Sequence, residues 1–75
     1  MAAQIAAIAG SVSGLRGCDE AHIRPGPRGY DVVIHCLADP SLPIAMVHRL
    51  TDEAEKRVLA QLPAISQVLI HVEPQ

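Results

Sequence analysis

The sequence predicts an α+β domain whose elements run helix, strand, strand, helix, strand. Both helices should lie on one face of a three-stranded sheet, a two-layer sandwich. Three observations carry this reading. Val47, Leu50, Ala54, Val58 and Leu62 recur at helical spacing and form one apolar stripe ended by Pro63. Gln67 to Glu73 is rich in Val, Leu and Ile and stops at Pro74, as a largely buried strand does. Pro25-Gly26-Pro27-Arg28-Gly29 is a turn by composition and separates two runs of alternating character.

Taken in order, the Ala-rich start favours helix. Ile5, Ile8, Val12 and Leu15 give it an apolar stripe, and Gly10 and Gly14 limit it, so it should cover about residues 2–13. Gly17 to Arg24 reads as a half-exposed strand, with Ala21 and Ile23 alternating against Glu20, His22 and Arg24. Tyr30 to Asp39 is the second strand, and the short turn makes the two an antiparallel hairpin. Val32, Ile34, Cys36 and Ala38 share one of its faces; Val33, His35 and Leu37 share the other. Asp39-Pro40-Ser41-Leu42-Pro43 then starts the second helix, with Ser41 as the expected N-cap and Pro43 in the first turn. In the last strand Val68, Ile70 and Val72 oppose Leu69, His71 and Glu73.

Bulk composition excludes several function classes. The chain has 75 residues, no Phe or Trp and one Tyr, so residues 1–75 make a single domain with an aliphatic core. So small a core is only marginally stable, which favours a second chain or a bound metal. Net charge is −2 and no basic block occurs, which argues against nucleic acid as a partner. No apolar run reaches the roughly 18 residues of a membrane helix, and the start lacks a signal peptide's basic region, so the expected location is the cytoplasm. Cys18 and Cys36 form no C-x-x-C motif, and buried free thiols are expected.

The chemistry concentrates on one sheet face. If the aliphatic sets face the helices, His35, His71 and Glu73 share the open face. His71 and Glu73 stand about 7 Å apart along their strand. His48 lies early in the second helix, beside the stripe, placed to lean past the sheet edge. Imidazole and carboxylate suit zinc and several neighbouring metals. The same residues also suit a solvated polar face, and periodicity alone leaves both readings open.

Asp39-Pro40-Ser41-Leu42-Pro43, then His48, then His71-Val72-Glu73-Pro74 resemble the cytosolic C-terminal domain of the cation diffusion facilitator (CDF) family of divalent metal transporters. The resemblance covers nearly the whole chain. It implies an αββαβ metallochaperone-like (ferredoxin-like) fold and a V-shaped homodimer. It also implies divalent cations, most often zinc, bound near the dimer interface and drawing the two arms together. Carried over, the metal ligands are His35, His48, His71 and Glu73. The first-strand position, His in some zinc members, falls without a gap on Asp19, with His22 three residues later. Cys36 faces the core by parity and is excluded as a ligand.

The family's transport site lies in a six-helix membrane domain that these residues do not include. The resemblance therefore implies either an excised regulatory domain, at the cytosolic face of the membrane, or a free-standing version. Two alternatives stand beside it. One is a soluble, metallochaperone-like carrier, disfavoured by the lack of a thiol pair in C-x-x-C spacing. The other is a dimerisation module whose histidines bind no physiological metal. No enzyme is expected and no catalytic residue is assigned, because no nucleophile sits beside a base in a recognisable motif.

Overall fold

A computed structural model describes all 75 residues. Its elements are α1 (Ala2–Gly10), β1 (Arg16–Pro25), β2 (Tyr30–Ala38), α2 (Ile44–Gln61) and β3 (Ile65–Pro74). The sheet order is β1-β2-β3, so β2 is central. β1 pairs with it antiparallel through the Pro25–Tyr30 hairpin, and β3 pairs with it parallel. A parallel neighbour needs a crossover, and α2 supplies it. The core is wholly apolar: Ile5, Ala9, Val12 and Leu15 from the first segment, Val32, Ile34, Cys36 and Ala38 from β2, Ala54 and Val58 from α2, Ile65 and Val68 from β3. The expected aliphatic faces are the buried ones, and both helices cover the same side of the sheet.

Three expectations need correction. α1 stops at Gly10, three residues short of the expected end. The Ser11 hydroxyl donates to the Ile8 carbonyl at 2.6 Å, and Val12 and Leu15 N–H groups bond carbonyls three residues back. Tight turns thus keep Val12 and Leu15 on the stripe after the helix has ended. Ser41 does not cap α2; Pro43 takes the N-cap position without a side-chain cap bond. The Ser41 N–H and hydroxyl both donate to Asp39 Oδ1, at 2.8 and 2.7 Å. Those two bonds, with the nearby Arg16 charge, hold the Asp39 carboxyl below its usual range. Cys18 and Cys36 are not free thiols but a disulfide. The β1–β2 register puts both on the core side of neighbouring strands, with Cα atoms 4.1 Å apart.

Gly29 is required where the hairpin meets β3. Its φ is 150°, and a Cβ there would lie 2.7 Å from the Ala64 carbonyl oxygen. The same oxygen accepts the Tyr30 N–H at 2.9 Å, so it cannot retreat without breaking the start of the β2–β3 ladder. Gly29→Ala should therefore cost about 1–3 kcal/mol and lower the melting temperature by several degrees. An unchanged calorimetric melting curve would refute this account of the junction.

Candidate metal centre

The open face of the sheet is built in rows. His22, Val33 and Leu69 form one, Asp19, His35 and His71 the next, and Arg16, Leu37 and Glu73 the third. Register partners on adjacent strands point the same way, so the parallel β2–β3 register brings the two imidazoles together. Their ring centroids are 5.2 Å apart with planes inclined by 23°. Glu73 follows His71 by two residues on the same face.

β1 departs from regular pairing at this row. Its register shifts on both sides of Asp19, and Glu20 has φ 53°, in the left-handed region that non-glycine residues rarely occupy. A bulge sets one extra residue against the partner strand and re-aims side chains. Here it adds a second carboxylate to the histidine row: Glu20 Oε2 lies 3.7 Å from His35 Nδ1. That nitrogen is shielded from solvent and has no hydrogen-bond partner. Gly17, Asp19, Glu20, His35, Cys36, Leu37 and Glu73 line an open groove of about 280 Å³. The donor set around it is one imidazole nitrogen in need of a partner and three carboxylates. Imidazole nitrogen and carboxylate oxygen are ligand types that divalent cations take, but within one chain no three of them converge to hold one.

Over residues 1–75, its whole length, the sequence matches the family described as cation efflux protein, cytoplasmic domain. The chain belongs to that family. It is also 24% identical over 63 residues to Metal tolerance protein C1 of Arabidopsis thaliana, a match covering 84% of this chain and 13% of the relative. The cation efflux domain thus spans a small part of that relative's length. Among solved structures, two variants of the MamM CTD superpose with TM-scores of 0.88 and 0.89 at 18% identity, each covering 97% of this chain and 91% of the other. A nickel form of another MamM CTD variant gives 0.89 at 16% identity, covering 97% of this chain and 92% of the other. At such identities the likeness is one of fold, and it bears out the αββαβ ferredoxin-like arrangement. The family is a transporter domain on the cytoplasmic side, not a known enzyme. No helix here is long and apolar enough to cross a membrane.

Within this cation efflux domain the expected ligands are only partly gathered. Asp19, His35 and His71 share a row, and Glu73 lines the same groove as Asp19 and His35. His48 is not brought to them. It sits on α2 with its side chain 76% exposed and its Nε2 3.5 Å from Asp52 Oδ2, one helical turn on. His22 lies beside a different groove, with Ile23, Arg24, Asp31 and Val33. No three His, Cys, Asp or Glu side chains of one chain converge closely enough to hold an ion. Sequence reasoning missed Glu20, which simple alternation places among the solvated residues of β1. A signal was present: the core-side residues of β1 are Cys18, Ala21 and Ile23, spaced by three and then two. One extra residue between 18 and 21 is the mark of a bulge.

Proposed function

We propose that residues 1–75 form one dimerising, divalent-cation-binding regulatory domain of a cation efflux transporter, with zinc as the sensed ion. The observation that carries this is the stacked His35–His71 pair beside the Asp19–Glu20 bulge, with His35 Nδ1 buried and unpartnered. Buried polar atoms normally have partners, and an orphan aimed at carboxylates is the place where a cation restores the balance. The nickel and manganese forms of the related MamM CTD support a divalent ion. Asp19, His35, His71 and Glu73 are the proposed ligands on the sheet, with Glu20 joining them; His48, which stands apart on α2 within one chain, would contribute from a second copy.

Because one chain gathers no complete set, a second copy or water completes the shell; zinc usually takes four ligands. The open face also carries Leu69, 55% exposed, beside the half-buried Val33 and Leu37. An apolar patch next to an incomplete ligand set suits a homodimer interface. The ion would supply positive charge between facing carboxylates and so tie the two protomers together.

Calorimetric titration with zinc, read with sedimentation velocity, tests this. The expected result is a dimer before metal and saturable zinc binding with a fixed stoichiometry per chain. A monomer at all concentrations with and without zinc, or no heat of binding, would defeat the proposal. His71→Ala should weaken zinc binding at least tenfold, about 1.4 kcal/mol; unchanged affinity would remove His71 from the site. Binding should also fade as pH falls below about 6, because an imidazole ligates only in its neutral form. An affinity that does not change from about pH 5 to about pH 8 would point to carboxylates alone.

A further inference from the structure

We propose that the Cys18–Cys36 disulfide is a reversible redox site that sets the position of the Asp19–Glu20 bulge against His35, and through it the metal affinity of the groove. The affinity part rests on the metal-binding reading above. Each cysteine is the chain neighbour of a groove residue: Cys18 precedes Asp19, and Cys36 follows His35. The cross-link joins the two strands where the register breaks, between the Arg16–Leu37 and Asp19–His35 pairs. Two separate thiols need more room than a bonded pair, so cleavage lets β1 part from β2 at this point. Glu20, with φ 53°, holds a conformation that persists only while its surroundings enforce it. The bond beside it is such a constraint. Opening it frees the Glu20 carboxylate from its place 3.7 Å from His35 Nδ1.

A cytoplasmic domain meets a thiol-reducing medium, in which a disulfide is a transient, responsive bond rather than a permanent staple. Cys36 is 1% exposed and Cys18 half-buried, so a thiolate of glutathione or of a thioredoxin-class dithiol attacks the Cys18 sulfur. The Cys36 sulfur leaves as thiolate and takes a proton. A second thiol then attacks the mixed disulfide, Cys18 leaves as a thiol, and the reductant departs as its disulfide. The chain gains two electrons and two protons. Hydrogen peroxide reverses this: the Cys18 thiolate becomes a sulfenic acid, the Cys36 thiolate displaces its oxygen, and the balance is two thiols plus peroxide giving disulfide plus two waters. The closed form is preorganised, so it binds metal more tightly.

The test compares wild-type domain oxidised by peroxide with the same protein reduced by a phosphine and desalted without air. Amide shifts of Asp19, Glu20 and His35 are recorded without metal, and zinc affinity is measured by calorimetry. Expected are a mass difference of two hydrogens, moved shifts at those amides, and zinc binding about tenfold weaker after reduction. A Cys18→Ser, Cys36→Ala double variant should match the reduced protein under both treatments. Thiols still titratable after peroxide, unmoved shifts, or zinc affinities within about twofold of each other would overturn the inference. If zinc binds in neither state while the shifts move, the metal reading fails and the affinity part with it, whereas the hold of the cross-link on Glu20 stands.

Discussion

Zinc at a hundredfold excess over its dissociation constant is expected to raise the melting temperature of this domain by roughly 10–20 °C. A ligand that binds only the folded form stabilises it by about 2.7 kcal/mol at that excess. In a domain of this size each kcal/mol moves the midpoint by about 4–8 °C. The effect should be large because the apo protein has so little else to draw on: twelve buried residues, none aromatic, and no buried polar network. On the proposed reading, in which a second copy supplies ligands missing from one chain, the gain should come with closure of the dimer. Spin labels at Ala3, exposed on α1, report the separation of the two chain starts. That separation should shrink on zinc binding. A higher melting temperature with an unchanged distance distribution would leave a rigid dimeric metal binder and remove the regulatory closure.

His35→Ala should have a comparably large effect on binding, at least a hundredfold loss of zinc affinity, or about 2.7 kcal/mol. His35 lies at the centre of the row: Asp19 is its register partner on β1, Glu20 Oε2 lies 3.7 Å from its Nδ1, and His71 stacks on its ring. Removing it would delete a proposed nitrogen ligand and leave the carboxylates without their imidazole neighbour. Its side chain is 35% exposed and outside the apolar core. The apo melting temperature should therefore move little, by less than about 1 kcal/mol in stability terms. A variant that keeps zinc affinity within about threefold would show that the ion is held elsewhere, His48 being the first alternative. A collapse of apo stability would instead mark His35 as a packing residue. Circular dichroism melts of the apo protein separate those outcomes from a loss of binding.

The nature and order of the elements were legible in the sequence because strong local signals coincide with the tertiary demand. Period-two alternation in Tyr30–Ala38 and Ile65–Pro74 put Val32, Ile34, Cys36 and Val68 on the buried side and His35, His71 and Glu73 on the open side. The helical stripe from Val47 to Leu62 needed only the sheet to receive it. The family resemblance read from Asp39–Pro43, His48 and His71–Pro74 also held, since the chain belongs to the cation efflux cytoplasmic domains.

What those signals could not carry was relative placement across strands. Alternation says which way His35 and His71 point; only the parallel β2–β3 register makes them neighbours 5.2 Å apart. Alternation also fails at a bulge: it puts Glu20 on the open face but Asp19 on the core side, and only the extra residue in the folded β1 sets both carboxylates beside His35. Ser41 had the right residue type for an N-cap, but α2 begins only at Ile44 with Pro43 at the N-cap position, and Ser41 instead donates its N–H and hydroxyl to Asp39 Oδ1. Cys18 and Cys36 lie 18 residues apart, and their pairing is a property of the β1–β2 register rather than of their spacing. Side-chain direction is local and follows from sequence, whereas register is a long-range choice made by packing and turn geometry. The cysteine pair and the row that joins Asp19, Glu20, His35 and His71 both belong to that second kind.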